Sequence, residues 1–251
     1  MIPIRDENRP SITPHVTWAL IIVNTVIFFV SWLSGPVFLD RFIDTYGMIP
    51  RFIMQGQSLH TLFTSMFLHA DIIHLFFNML YLYIFGDNVE DALGHVGYAA
   101  FYLFSGLVAS AAHLLSVIND VWESSIPTIG ASGAISGVLG AYIVLYPRSR
   151  VLTLVMYYFI TIVPIPAFYF LGFWFLLQFL YVMLGSAAGV AYWAHIGGFV
   201  AGLALALLVR KRRKRRLQPL SPLYTYRWEC PTTASICRGL PPITFSHRLE
   251  K

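Results

Sequence analysis

Residues 190–209 read Val-Ala-Tyr-Trp-Ala-His-Ile-Gly-Gly-Phe-Val-Ala-Gly-Leu-Ala-Leu-Ala-Leu-Leu-Val, and every residue of the run Arg210 to Arg216 that follows is basic. An apolar stretch of this length is what an α-helix needs to cross about 30 Å of hydrocarbon at about 1.5 Å per residue. Comparable stretches lie upstream at about 16–34, 72–88, 96–117, 131–147 and 166–185. The fold class expected is therefore an all-α membrane protein, a bundle of six transmembrane helices. Composition agrees: 57% of the 251 residues are hydrophobic, only 12% are charged and the mean hydropathy is +0.66. A soluble domain carries about 25% charged residues. Residues 52–147 and 151–209 contain no Lys or Arg. Lipid imposes such deserts, because a charge at the bilayer centre costs about 2.5 to 3.5 kcal/mol even on insertion scales.

An even number of spans puts both chain ends on one side. Arg5, Arg9, Arg148, Arg150 and the Arg210–Arg216 run then share that side, against Arg41 and Arg51 opposite. By the positive-inside rule both termini are expected in the cytoplasm, with the protein in the cell (plasma) membrane. The net charge of +5 sits mainly in the tail, which reads as an anchor beside anionic lipid and not as a nucleic-acid footprint. The expected organisation is a cytoplasmic segment 1–15, a helical core 16–209 and a basic, disordered tail 210–251. The first apolar run lacks a small-x-small cleavage site, which favours a retained span over a signal peptide. Cys230 and Cys237 fit no common zinc spacing and receive no role.

Three connecting stretches stand out. Pro36 to Gly47 mixes Val37, Phe38, Phe42 and Tyr46 with Asp40, Arg41 and Asp44, as expected of an amphipathic piece in the outer interface or of a folded loop. Residues 87–95, with Asp87, Glu90 and Asp91, read as an acidic loop. Residues 151–163, closed by Pro164 and Pro166, are too short to span and read as an interfacial or re-entrant connector.

Polar residues inside spans are costly and each asks for a reason. Gly130-Ala131-Ser132-Gly133-Ala134 opens the fourth span with a hydroxyl at a helix start, where free amides and the positive helix end favour an anion. That suits a serine nucleophile, and it equally suits a helix cap. His195 in the sixth span is a base of the kind Ser132 would need, a buried structural histidine, or a proton-relay site. Gly133, Gly137 and Ala141 recur every four residues in the fourth span, as Ala194, Gly198, Gly202 and Ala206 do in the sixth. Close packing of that pair would bring Ser132 to His195. His74 and Asn78 share one face of the second span and could donate into an oxyanion hole or hold helices together. Counted at about 1.5 Å per residue, Ser132, His195 and His74 all lie roughly 20 Å from the basic side of the bilayer, a common level below the opposite surface.

These three signatures resemble, in content and order, those of the rhomboid family of intramembrane serine proteases: His74-x-x-x-Asn78 after His69, Gly130-Ala131-Ser132-Gly133-Ala134, and Ala194-His195-Ile196-Gly197-Gly198. The resemblance covers about residues 1–210 and implies a six-helix bundle of the rhomboid type with an interfacial first loop. It implies Ser132 as nucleophile, His195 as its base in a dyad without aspartate, and His74, Asn78 and the Ser132 amide as oxyanion donors. It implies no metal or other cofactor, and as partners the transmembrane helices of membrane-protein substrates, cut near the outer membrane face. The family's Trp-Arg pair in the first loop is absent, Asp40-Arg41-Phe42 standing there instead.

Rival readings separate on sequence. A zinc protease would need His-Glu-x-x-His, which does not occur, and an aspartyl mechanism would need two aspartates within spans. A non-catalytic rhomboid-like binder used in membrane-protein quality control is the alternative, disfavoured by the presence of both Ser132 and His195. A transporter would be expected to show an inverted repeat of broken helices, and none is seen. The fifth span carries Phe168, Phe170, Phe173, Trp174, Phe175 and Phe179 and is expected to form a movable wall for substrate access, or else to face lipid with these rings.

Overall fold

The computed structural model describes residues 1–156, 160–185 and 189–210. In chain order the elements are strand β1 (Ile2–Asp6), helices α1 (His15–Leu33), α2 (Pro36–Tyr46), α3 (Pro50–Met54), α4 (Thr61–Thr64), α5 (Ile72–Leu93), α6 (His95–Ser116) and α7 (Ser132–Leu145), strands β2 (Arg150–Met156) and β3 (Ile160–Pro166), and helices α8 (Ala167–Met183) and α9 (Tyr192–Arg210). The expected disorder of the tail, with Cys230 and Cys237, lies outside the described residues.

Among the described residues, six apolar helices form the bundle. Four of them, α1, α5, α6 and α9, are long and apolar enough to cross a membrane, while α7 and α8 are shorter apolar helices of 14 and 17 residues. The short α7 is the hub: Ala134 to Tyr142 is buried without a break, against α5, α6 and α9. Its glycines let α9 approach at backbone distance. A Cβ on Gly198 would run into the Gly133 carbonyl, and one on Gly202 into the Gly137 carbonyl. The expected small-residue pairing of the fourth and sixth spans is thus the tightest helix seam among the described residues.

Two stretches depart from expectation. The acidic residues 87–93 continue α5 and do not form a loop, because their carboxylates find partners. Glu90 is fully buried and accepts from the amides of Val16 and Thr17 at 2.9 and 2.8 Å, from the Thr17 hydroxyl at 2.7 Å, and lies 2.6 Å from His95 Nδ1. It satisfies otherwise unpaired amides at the start of α1 and suits the positive end of that helix. Residues 151–163 are not merely a connector. They supply β2 and most of β3, which pair antiparallel, Val151 opposite Ile165 and Val155 opposite Thr161, while β1 adds to the other edge of β2 with Ile2 opposite Leu154 and Asp6 opposite Val151. Val151 and Thr153 point inward and are fully buried. The two prolines fall on the edge strand β3, the position in a sheet where a missing amide is tolerated. The small sheet lies at the end of α7 remote from Ser132. Expected as amphipathic, α2 is a helix with no buried residue, carrying the ring series Phe38, Phe42 and Tyr46.

Where β1 meets the bundle, the Asp6 carboxylate accepts from the Tyr142 hydroxyl and from Asn88 Nδ2, the latter at 2.9 Å. Burial outweighs these bonds and pushes its carboxyl up to about 6. A carboxyl raised above its unfolded value contributes stability that is complete below about pH 4 and is lost as pH rises through about 6. Asp6→Asn removes that titration but keeps an acceptor for Tyr142. The gap in melting temperature between wild type and the variant is expected to shift in favour of the variant between about pH 4 and about pH 7. Thermal unfolding in detergent measures it, and a constant gap would show that Asp6 does not titrate in this range.

Candidate active site

The starts of α5, α7 and α9 converge. Asp71 caps α5, its Oδ1 accepting from the amides of Ile73 and His74, both at 2.8 Å. This fixes His74 in the first turn, with its ring against Gly130: a Cβ at Gly130 would lie 2.9 Å from His74 Cε1 and Nε2. Gly130 also has φ +122°, a conformation side chains disfavour, and its amide donates to the Ser65 carbonyl at 2.9 Å. Only glycine meets both demands. Ser132 is the first residue of α7, and Ala131 before it offers no side-chain cap, so side chains leave the first-turn amides unclaimed.

His195 sits in the first turn of α9, and its Nε2 lies 2.8 Å from Ser132 Oγ. Its Nδ1 lies 2.9 Å from Oε1 of Gln178, a residue of α8. Trp174 and Tyr192 flank the imidazole, with ring centroids 6.0 and 6.2 Å away. Asn78, one turn beyond His74, is 6% exposed and donates from Nδ2 to the His74 carbonyl at 3.1 Å. Ser132, His195, His74 and Asn78 line one cavity of about 500 Å³, along with Trp174 and Gly189 to Ala191. The four site residues expected from sequence are therefore brought together. Among the described residues no group of three or more His, Cys, Asp or Glu side chains is placed to hold a metal ion.

Chemically, the arrangement offers a hydroxyl hydrogen-bonded to an imidazole at the positive end of a helix, where amides and a nearby histidine and asparagine can meet developing negative charge. The aromatics of the fifth span divide between inside and outside. Phe168, Phe173 and Phe179 are exposed, whereas Phe170 meets Phe85 and Phe175 stacks on Phe199 with centroids 4.6 Å apart. Gln178 was not among the residues expected at the site. The signal was there: it is the one amide among the apolar and aromatic residues of α8.

The sequence profile of the rhomboid domain matches residues 56–212. The chain belongs to the rhomboid family. Its relatives include the mitochondrial rhomboid protein 1 of Saccharomyces cerevisiae, 28% identical over 81% of this chain and 57% of the yeast protein. The mitochondrial RHOMBOID-like protein 12 of Arabidopsis thaliana is 30% identical over 80% of this chain and 60% of its own length. The rhomboid protease GluP of Bacillus subtilis is 29% identical over 77% of this chain and 34% of its own. This rhomboid thus spans less than two thirds of the length of each of these relatives. The names of the yeast and plant relatives overturn the expected plasma-membrane location with cytoplasmic termini: both are mitochondrial. Charge bias orients a chain across a bilayer but is blind to which bilayer it is. Rhomboids include serine proteases and act on transmembrane segments of membrane proteins within the bilayer.

Proposed function

We propose that this rhomboid is a serine endopeptidase that cleaves transmembrane segments near the membrane face at which α5, α7 and α9 begin. The observation that carries the proposal is the 2.8 Å contact between Ser132 Oγ and His195 Nε2 at the open start of α7. His195 accepts the hydroxyl proton as Ser132 Oγ attacks the scissile carbonyl. The oxyanion that forms faces the Ser132 amide, with His74 and Asn78 as side-chain donors. His195 then gives its proton to the leaving amine, and the segment beyond the cut departs. A water molecule reaching the cavity is deprotonated by His195 and hydrolyses the ester on Ser132, returning both side chains to their starting state. The membrane in which this takes place is, on the names of the yeast and Arabidopsis relatives, a mitochondrial one.

The direct test is purified protein in liposomes with a fluorescent single-span substrate, the products being located by mass. Cleavage within the transmembrane segment is expected, and absence of any product would leave only the binding role. His74→Ala and Asn78→Ala are each expected to lower turnover about 10²- to 10³-fold, the usual cost of one oxyanion donor, while a reactive serine-directed probe still labels Ser132. Loss of labelling together with a collapsed thermal transition would instead assign these two residues to the architecture.

A further inference from the structure

We propose that Gln178 is a positioning residue that holds His195 in the tautomer and orientation the reaction needs. The proposal rests on reading Ser132 and His195 as the working pair. Gln178 Oε1 lies 2.9 Å from His195 Nδ1, on the far side of the ring from Ser132. Gln178 Nε2 is directed to the Trp174 carbonyl at 3.4 Å in its own helix, which leaves the amide oxygen for the imidazole. An amide oxygen can only accept. Nδ1 therefore carries the hydrogen, and Nε2 presents its lone pair to the Ser132 hydroxyl. The side chain is 8% exposed in an otherwise apolar helix, a costly place for an amide that does nothing. The logic is that of a third group orienting a base, with a neutral amide in place of a carboxylate. Neutrality has a consequence: the acceptor fixes the ring without the charge that would hold a proton on it. Among the described residues the other titratable groups facing His195 are His74 of α5, His113 of α6 and Tyr192 of its own helix, none of them a carboxylate.

The test compares wild type, Ser132→Ala, Gln178→Met and Gln178→Glu in liposomes, measuring kcat and KM for a transmembrane substrate across pH, with thermal unfolding alongside. Gln178→Met keeps the volume and removes the acceptor. Its kcat is expected to fall about tenfold to a hundredfold with KM unchanged. Gln178→Glu restores the acceptor and adds charge, so most of kcat is expected to return at the plateau, with the acidic limb of the profile moved up by about one pH unit. A Gln178→Met protein with wild-type kcat, or one changed only in KM, overturns the proposal. If that variant does not fold, the Gln178→Glu profile decides, and an unmoved acidic limb overturns it. Activity persisting in Ser132→Ala defeats the reading of the working pair, and the proposal falls with it. An inactive Ser132→Ala beside an unaffected Gln178→Met defeats the role of Gln178 alone.

Discussion

Ser132→Ala is expected to lower cleavage of a transmembrane substrate by a factor on the order of 10⁴ or more while leaving the thermal transition in place. The hydroxyl makes its contact with His195, and the Ser132 carbonyl that accepts from Ser136 Oγ at 2.6 Å is backbone that alanine retains. Alanine also suits the first turn of a helix. His195→Ala is expected to match it in activity but not in stability. It empties a site between Trp174 and Tyr192 and leaves the Gln178 amide oxygen without its partner. Fluorescent-substrate cleavage and labelling by a serine-directed probe measure both variants. Undiminished cleavage by the serine variant would remove Ser132 as nucleophile, and wild-type rates without His195 would remove the base.

What could be read from the chain depended on whether the partners of a residue were local. The spans were legible because lipid imposes one composition over a whole helix, and α1, found at His15–Leu33, lies within a residue of its expected bounds. The candidate site, as a cluster of residues, was legible because Ser132, His195 and the His74–Asn78 pair each violate that composition at or near the start of a helix. The end of α5 was not, since Glu90 is satisfied by Val16 and Thr17, more than seventy residues upstream. The sheet is only partly a case of the same kind: β3 follows β2 closely, but residues 151–163 read by length alone as a connector, and the other partner of β2, Ile2–Asp6, lies at the far end of the sequence. The period-two burial of Val151 and Thr153 against half-buried Leu152 and Leu154 has no counterpart in the sequence, where Thr153 is the one polar residue from 151 to 156 and lies on the buried side. Gln178 was visible as a polar residue in an apolar span, but its meaning needed the position of His195 on another helix.

The largest effect on stability is expected at the seam of α7 and α9, from a single methyl group. Gly202→Ala would place its Cβ against the carbonyl of Gly137, and Gly137 is backbone buried at the centre of the bundle. A flexible side chain could swing aside; a helix backbone packed on α5 and α6 cannot, so the two helices must separate. Overpacking of a close-packed core costs about 1 to 3 kcal/mol, and a backbone-to-backbone clash belongs at or above the upper end. Gly172→Ala is the matched control: it makes the same chemical change in α8, where a Cβ meets nothing within 4 Å. Unfolding by heat or by denaturing detergent in mixed micelles is expected to show a transition many degrees lower for Gly202→Ala and near wild type for Gly172→Ala. Activity should fall with it, even where protein remains folded. The spacing of α7 and α9 sets the distance from Ser132 to His195, and at 2.8 Å that hydrogen bond has little room to lengthen before proton transfer is lost. A Gly202→Ala protein that melts with the wild type would mean that the helices can part without cost, and that close approach of their backbones is not what holds the dyad together.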